Sequence, residues 1–151
     1  MPPQYKARIE AGQPALKKRA YDEYGLELHV GPFGINSRPA LILEKYAQGQ
    51  GKGVEFHAAV MKAYWLEARS IDDPAVLKEI AEQVGLDTTN FDDILTNPVY
   101  DEAVSADVAL AHEYGMSGVP ALVFANKYLV MGAQPYEMLK RVVDKVVEER
   151  E

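Results

Sequence analysis

The run Gly115-Met116-Ser117-Gly118-Val119-Pro120-Ala121-Leu122-Val123-Phe124-Ala125-Asn126-Lys127-Tyr128-Leu129-Val130-Met131-Gly132-Ala133-Gln134-Pro135 limits the folds open to this chain more than any other stretch. Two apolar runs, Ala121 through Ala125 and Tyr128 through Met131, flank the pair Asn126-Lys127. That spacing predicts a tight β-hairpin, with Asn126 at the positive φ such a turn needs. A helix is expected to stop at Gly115, and another to start just past Gly132 with Pro135 in its first position. The local order is helix, Gly-rich turn, Val-Pro, hairpin, helix.

Upstream, the signals are helical. Pro14 opens a charged helix over 14–24 that Gly25 closes, and residues 1–13 carry only a weak pattern. Leu26-Glu27-Leu28-His29-Val30 alternates apolar and polar, as a short strand would. From Asn36 or Ser37 a helix begins with Pro39 in its first turn, placing Ala40, Leu43 and Ala47, with Leu41, inward. It dies at Gly49-Gln50-Gly51-Lys52-Gly53. A helix over 54–68 carries a wide apolar stripe that includes Val54, Phe56, Val60, Met61 and Trp65. Asp72-Asp73-Pro74 starts a helix that ends at Gly85. Thr88 or Thr89 opens a short one through Leu95, and Asn97-Pro98 starts a longer one up to Tyr114. The last helix covers 135–149. Leu43, Phe56, Val60, Trp65, Leu77, Ile80, Val104 and Val108 are the expected inward residues.

With 151 residues the chain can bury a core as one domain, without disulfides or metal. A net charge of −7 and the lack of any basic cluster argue against nucleic acid or an anionic membrane as partner. The N-terminus has no signal-peptide core and no run approaches membrane-spanning length, so the cytoplasm is the expected compartment. There is no cysteine, which removes disulfides, thiolate metal sites and thiol catalysis by this chain together.

Most candidate chemistry has a simpler structural reading. Gly49-Gln50-Gly51-Lys52-Gly53 looks like a phosphate loop, but a helix precedes it and Gly53 stands where Ser or Thr should reach a magnesium ion. A turn between helices suits it better. His29, His57 and His112 share no metal-ligand spacing. Asp72-Asp73 and Asp92-Asp93 sit near helix starts, where acids favour the positive end of the dipole. Ser117 has no His or acid near it in sequence, and Tyr46, Tyr64 and Trp65 are expected in the core or an interface. Val119-Pro120 is the informative site. On the residues alone it reads as a trans proline opening an edge strand, although a prolyl bond also permits cis.

Read in order, Asn36-Ser37-Arg38-Pro39-Ala40, Tyr46-Ala47-Gln48-Gly49-Gln50-Gly51-Lys52, Phe56-His57-Ala58-Ala59-Val60, Ala63-Tyr64-Trp65, Ile71-Asp72-Asp73-Pro74 and Ala81-Glu82-Gln83-Val84-Gly85-Leu86-Asp87 resemble the helical region of DsbA-family thioredoxin-like proteins. Ser-Gly-Val-Pro followed by Tyr-Leu-Val-x-Gly-Ala-Gln-Pro is similar to that family's C-terminal part, in the FrnE-like branch related to the 2-hydroxychromene-2-carboxylate isomerases. The resemblance implies a mostly helical α/β chain: a hairpin-plus-helix end of a thioredoxin-like fold over 115–151, and an inserted helical subdomain over 36–114. It implies an extended loop, not a strand, at 26–30. It also implies a cis bond at Pro120 and a peptide-holding role for Gly118, Val119 and Pro120.

In the family a strand, a helix and a further strand, with Cys-Pro-x-Cys at the helix start, come before the segment that Met1-Pro2-Pro3 resembles. The chain is therefore expected to be a truncated DsbA-like thioredoxin domain: a thiol-disulfide oxidoreductase by ancestry, inactive as this cysteine-free polypeptide, with no cofactor and a peptide or protein as possible substrate. The alternatives are a glutathione-dependent isomerase or transferase, for which glutathione would be the cofactor, and a non-enzymatic peptide-binding or assembly module. Without the family's first strand, the run Ala121 through Ala125 has an open edge. The expected repair is a homodimer pairing that edge antiparallel, or residues 26–30 folding back or swapping across to fill it.

Overall fold

Helices pack into the first of two compact units. The computed structural model describes residues 3–150, and the units divide between Val104 and Ser105. Met1 and Pro2, part of the expected N-terminal match, lie outside the described residues. In chain order the elements are α1 (Pro3–Tyr24), α2 (Arg38–Gly49), α3 (Gly53–Trp65), α4 (Pro74–Gln83), α5 (Phe91–Thr96), α6 (Pro98–Glu113), β1 (Ala121–Phe124), β2 (Tyr128–Met131) and α7 (Tyr136–Glu148). The chain is α/β but mostly helical, and its described strands form one two-stranded antiparallel sheet. No described helix is long and apolar enough to cross a membrane.

In the first unit α2, α3 and α4 close on one apolar core. Leu43, Phe56, Leu77 and Ile80 are its largest fully buried side chains, ringed by Ala40, Ala47, Val60, Ala63, Ala81 and Phe91. Small residues at Ala40, Ala47, Ala63 and Ala81 let the helix backbones approach, and no described polar or charged residue is buried with them. The helix ends follow from local chemistry. Asn36 Oδ1, not Ser37, accepts the Arg38 N–H at the head of α2 (3.1 Å), and Asp73 Oδ1 accepts from the Ala75 N–H at the head of α4 (2.9 Å). Arg38 Nε donates to Asp101 Oδ1 (2.6 Å), tying the starts of α2 and α6. That hydrogen bond holds the Asp101 carboxyl below the usual carboxylate range.

Several expectations need correction. The first helix begins at Pro3, with Pro14 inside it. The flanking Lys, Ala, Arg, Ile, Glu and Gln are good enough helix formers to carry the pattern past one lost backbone bond. α3 ends at Trp65, not at Ala68, whose φ of +54° no helix can continue. Trp65 itself is 37% exposed, because the end of the helix lifts it off the core and sets it edge-on to Tyr64 (5.1 Å between centroids). Val108 is exposed, as is Leu41, whose expected place is taken by Ile42.

Residues 26–30 form no strand, in line with the extended loop that the resemblance implied. The His29 N–H donates to Trp65 O (2.8 Å) and the Gly31 N–H to Tyr64 O (2.7 Å). The segment thus satisfies carbonyls that the end of α3 leaves without helical partners. The fit is close: a Cβ on Gly31 would lie 2.6 Å from the Tyr64 ring and 2.8 Å from Arg69 O.

Candidate functional site

Gly115 ends α6 at φ +71°, its N–H donating to His112 O and that of Met116 to Ala111 O (both 2.9 Å). The chain then runs through the exposed Ser117 and Gly118 to Val119, which is 93% exposed, and Pro120, also exposed. The Val119–Pro120 peptide bond is cis. Gly118, Val119 and Pro120 therefore form one exposed bend leading directly into β1.

β1 and β2 pair in the register Ala121↔Met131, Leu122↔Val130, Val123↔Leu129 and Phe124↔Tyr128. β1 stops at Phe124, one residue short of the expected run. The turn closes with the Lys127 N–H donating to Phe124 O (3.0 Å), and both Ala125 (φ +52°) and Asn126 (φ +55°) are left-handed. Asn126 was legible as a turn residue. Ala125 was not, because its Cβ disfavours that region by roughly 1–2 kcal/mol. Ala125→Gly should relieve this cost and lose part of the gain to a freer unfolded chain, for a net stabilisation of about 0.5–1 kcal/mol. Urea melts of the two proteins check it, and a loss of stability would contradict the turn geometry.

Antiparallel pairing alternates the direction of the backbone groups. The Gly132 N–H donates to Pro120 O (2.8 Å), and this bonded pair fixes the phase. Leu122 and Phe124 then turn their N–H and C=O groups toward β2, while Ala121 and Val123 turn theirs to the free edge. Proline's missing donor falls on the β2 side and does not blunt that edge.

α7 starts after Pro135 and turns Leu139, Val142 and Val146 to its half-buried side. Its end is tied to the hairpin through Glu149, which accepts from Lys127 Nζ (2.7 Å) and from the Tyr128 hydroxyl, while Lys145 Nζ lies 4.9 Å from the Tyr128 ring centroid. The bond from Lys127, seconded by the Tyr128 hydroxyl, lowers the Glu149 carboxyl; the same bond to Glu149 raises the Lys127 ammonium. Even so, no described residue from 105 to 150 is buried.

The other candidates take structural places. In the Gly49-Gln50-Gly51-Lys52-Gly53 turn, Lys52 Nζ donates to Val84 O (2.9 Å) and Gly85 O (2.5 Å), just past the end of α4. His57 Nδ1 lies 3.4 Å from Glu44, and among the described residues no group of three His, Asp or Glu is arranged to hold a metal ion. Asp73 is a helix cap, and Asp92 and Asp93 occupy the first turn of α5. The Tyr46 hydroxyl donates to Asp87 O (2.9 Å), and its ring meets Tyr100 edge-on. Sequence reading missed an open apolar groove in the first unit lined by Leu16, Leu26, Leu28, Met61, Trp65 and Leu66. Its residues come from α1, the extended segment and the end of α3, so no single periodic stripe announces it.

Comparison with known proteins places this geometry. The DSBA-like thioredoxin domain matches residues 2–144. YwbO of Bacillus subtilis (strain 168) is 27% identical over 101 residues, covering 65% of this chain and 49% of YwbO. The crystal structure of SCO1869 from Streptomyces coelicolor, described as a probable DsbA oxidoreductase, superposes with a TM-score of 0.80 at 27% identity, over 99% of this chain and 66% of that one. A 2-hydroxychromene-2-carboxylate isomerase shares the fold, with a TM-score of 0.75 at 21% identity over 99% of this chain and 73% of that one. The chain thus spans about half the length of its curated relative and about two thirds of the SCO1869 structure. It belongs to the DSBA-like thioredoxin domain family.

Proposed function

We propose that this chain is the substrate-holding part of a thiol-disulfide oxidoreductase fold and does not itself exchange disulfides. The observation that carries the reading is Val119, 93% exposed at the head of an open strand, in a DSBA-like chain with no cysteine. Disulfide exchange proceeds by attack of a thiolate on a disulfide sulfur. Any such thiol must come from outside residues 1–151. What remains is binding: the backbone of Gly118, Val119 and Pro120 offers an extended peptide hydrogen-bonding groups at the head of β1, the mode of recognition that open strand edges favour. No bound cofactor enters this reading. The proposed location is the cytoplasm.

Titrating the chain with carboxamidomethylated insulin B chain, an extended peptide whose thiols are blocked, tests the reading. Amide NMR shifts should move at Gly118, Val119 and the β1 edge, while insulin reduction by dithiothreitol runs at the rate of the blank. Shifts confined to other residues, or a rate above the blank, would overturn it. Binding heat on titration with glutathione would favour the isomerase-type alternative instead.

A further inference from the structure

We infer that Glu44, Gln48 and His57 form a site for a divalent transition-metal ion, Zn2+, between α2 and α3. The short turn from Gln50 to Lys52 brings the two helices side by side. Glu44 and Gln48 stand one turn apart on α2 and so share a face; Gly53 and His57 do the same on α3. The two faces meet. His57 Nδ1 lies 3.4 Å from both oxygens of the Glu44 carboxylate. One turn along, a Cβ on Gly53 would lie only 2.7 Å from Gln48 Cγ, so the bare glycine is what lets the Gln48 side chain lie across α3. All four residues line one open cavity of about 540 Å³.

The spacing separates a shared ion from a simple ion pair. A charge-assisted hydrogen bond from imidazolium to carboxylate closes to roughly 2.7–2.9 Å, and neither Glu44 oxygen comes that near. Two ligand atoms bound to the same tetrahedral Zn2+, each about 2.0–2.2 Å from it, stand roughly 3.3–3.5 Å apart. Glu44 and His57 hold that separation. The Gln48 amide oxygen is the third donor and water the fourth, which leaves the open position of a three-ligand zinc site. No lysine or arginine lines the cavity to compete for Glu44, and Lys52 of the intervening turn is bound to Val84 O and Gly85 O. A chain of net charge −7 favours a cation. An imidazole nitrogen among the donors selects Zn2+ over Mg2+ and Ca2+, which prefer oxygen alone. The site lies within residues 44–57 of the first unit and does not depend on what Gly118, Val119 and Pro120 hold.

Calorimetric titration of the untagged, EDTA-stripped chain with zinc chloride tests the site, with magnesium in excess throughout. The wild type should show saturable binding of one Zn2+ per chain. His57→Ala and Glu44→Gln should each lose it. Both positions lie outside the core, so circular dichroism should stay unchanged. A variant with both His29→Ala and His112→Ala removes the other imidazoles and should bind as the wild type does. Long-range proton–nitrogen NMR supplies a readout that lost folding cannot mimic: zinc should shift the Nδ1 resonance of His57 and leave Nε2 protonated. Absence of saturable heat would overturn the inference. So would binding that survives His57→Ala or Glu44→Gln, or that disappears with His29 and His112, since the ion would then sit elsewhere. The insulin B-chain titration, run in EDTA, can succeed or fail whichever result is found.

Discussion

Phe56→Ala is expected to lower the free energy of unfolding by about 3–5 kcal/mol, the largest effect of any single substitution considered. Phe56 is fully buried at the centre of the α2, α3 and α4 core, among Leu43, Leu77 and Ile80, which are themselves no more than 1% exposed. Neighbours packed that tightly from three helices have little freedom to collapse into the space left behind. The loss is therefore the transfer energy of a ring plus much of the cavity cost. Small domains are stable by roughly 5–15 kcal/mol in total, so the variant should sit close to unfolding at physiological temperature. Val54→Ala, two residues away but 83% exposed, is the control and should change stability by less than about 0.5 kcal/mol. Urea melts followed by circular dichroism compare the two. If Phe56→Ala costs no more than Val54→Ala, the assignment of the core face of α3 is wrong.

That contrast also marks where the sequence was legible. The stripe from Val54 to Trp65 was apolar on more than one side, and periodicity alone put both ends of it in the core. Phe56, Val60, Leu43, Leu77, Ile80 and Val104 are buried as expected, each on the face that its helix turns inward. Val54 is exposed because it lies about 200° round α3 from Phe56, and Trp65 because it is the last residue of that helix, where packing partners run out; a wide hydrophobic stripe carries no signal for either. Helix starts written in side-chain chemistry, Asp73-Pro74 and Asn97-Pro98, were placed correctly. The start at Pro3 was missed, since neither a cap nor a clear apolar stripe marks it. At the candidate site, Gly118, Val119 and Pro120 stood out by family pattern. The phase of the free edge could not be read, because it depends on which residues of β1 exchange bonds with β2.

Lys52→Met should cost about 1.5–2 kcal/mol, the second largest effect, and it decides what the glycine-rich turn is for. Lys52 Nζ donates to Val84 O and Gly85 O, the two carbonyls just past the end of α4. It also sets a full positive charge at the negative end of that helix. Hydrogen bonds from a charged donor contribute roughly 1.5–3 kcal/mol, and the half-exposed position keeps this pair near the lower end. Methionine retains most of the aliphatic stem, so the substitution removes the ammonium while preserving the packing. The urea midpoint should fall with an unchanged slope, because the surface exposed on unfolding stays the same. The geometry makes Lys52 a clamp between the α2–α3 turn and α4, with its charge directed at the chain's own backbone. Inorganic phosphate, even at millimolar concentration, should therefore leave the wild-type midpoint where it is. A midpoint raised by phosphate in the wild type and not in Lys52→Met would reverse that assignment and make the turn an anion site.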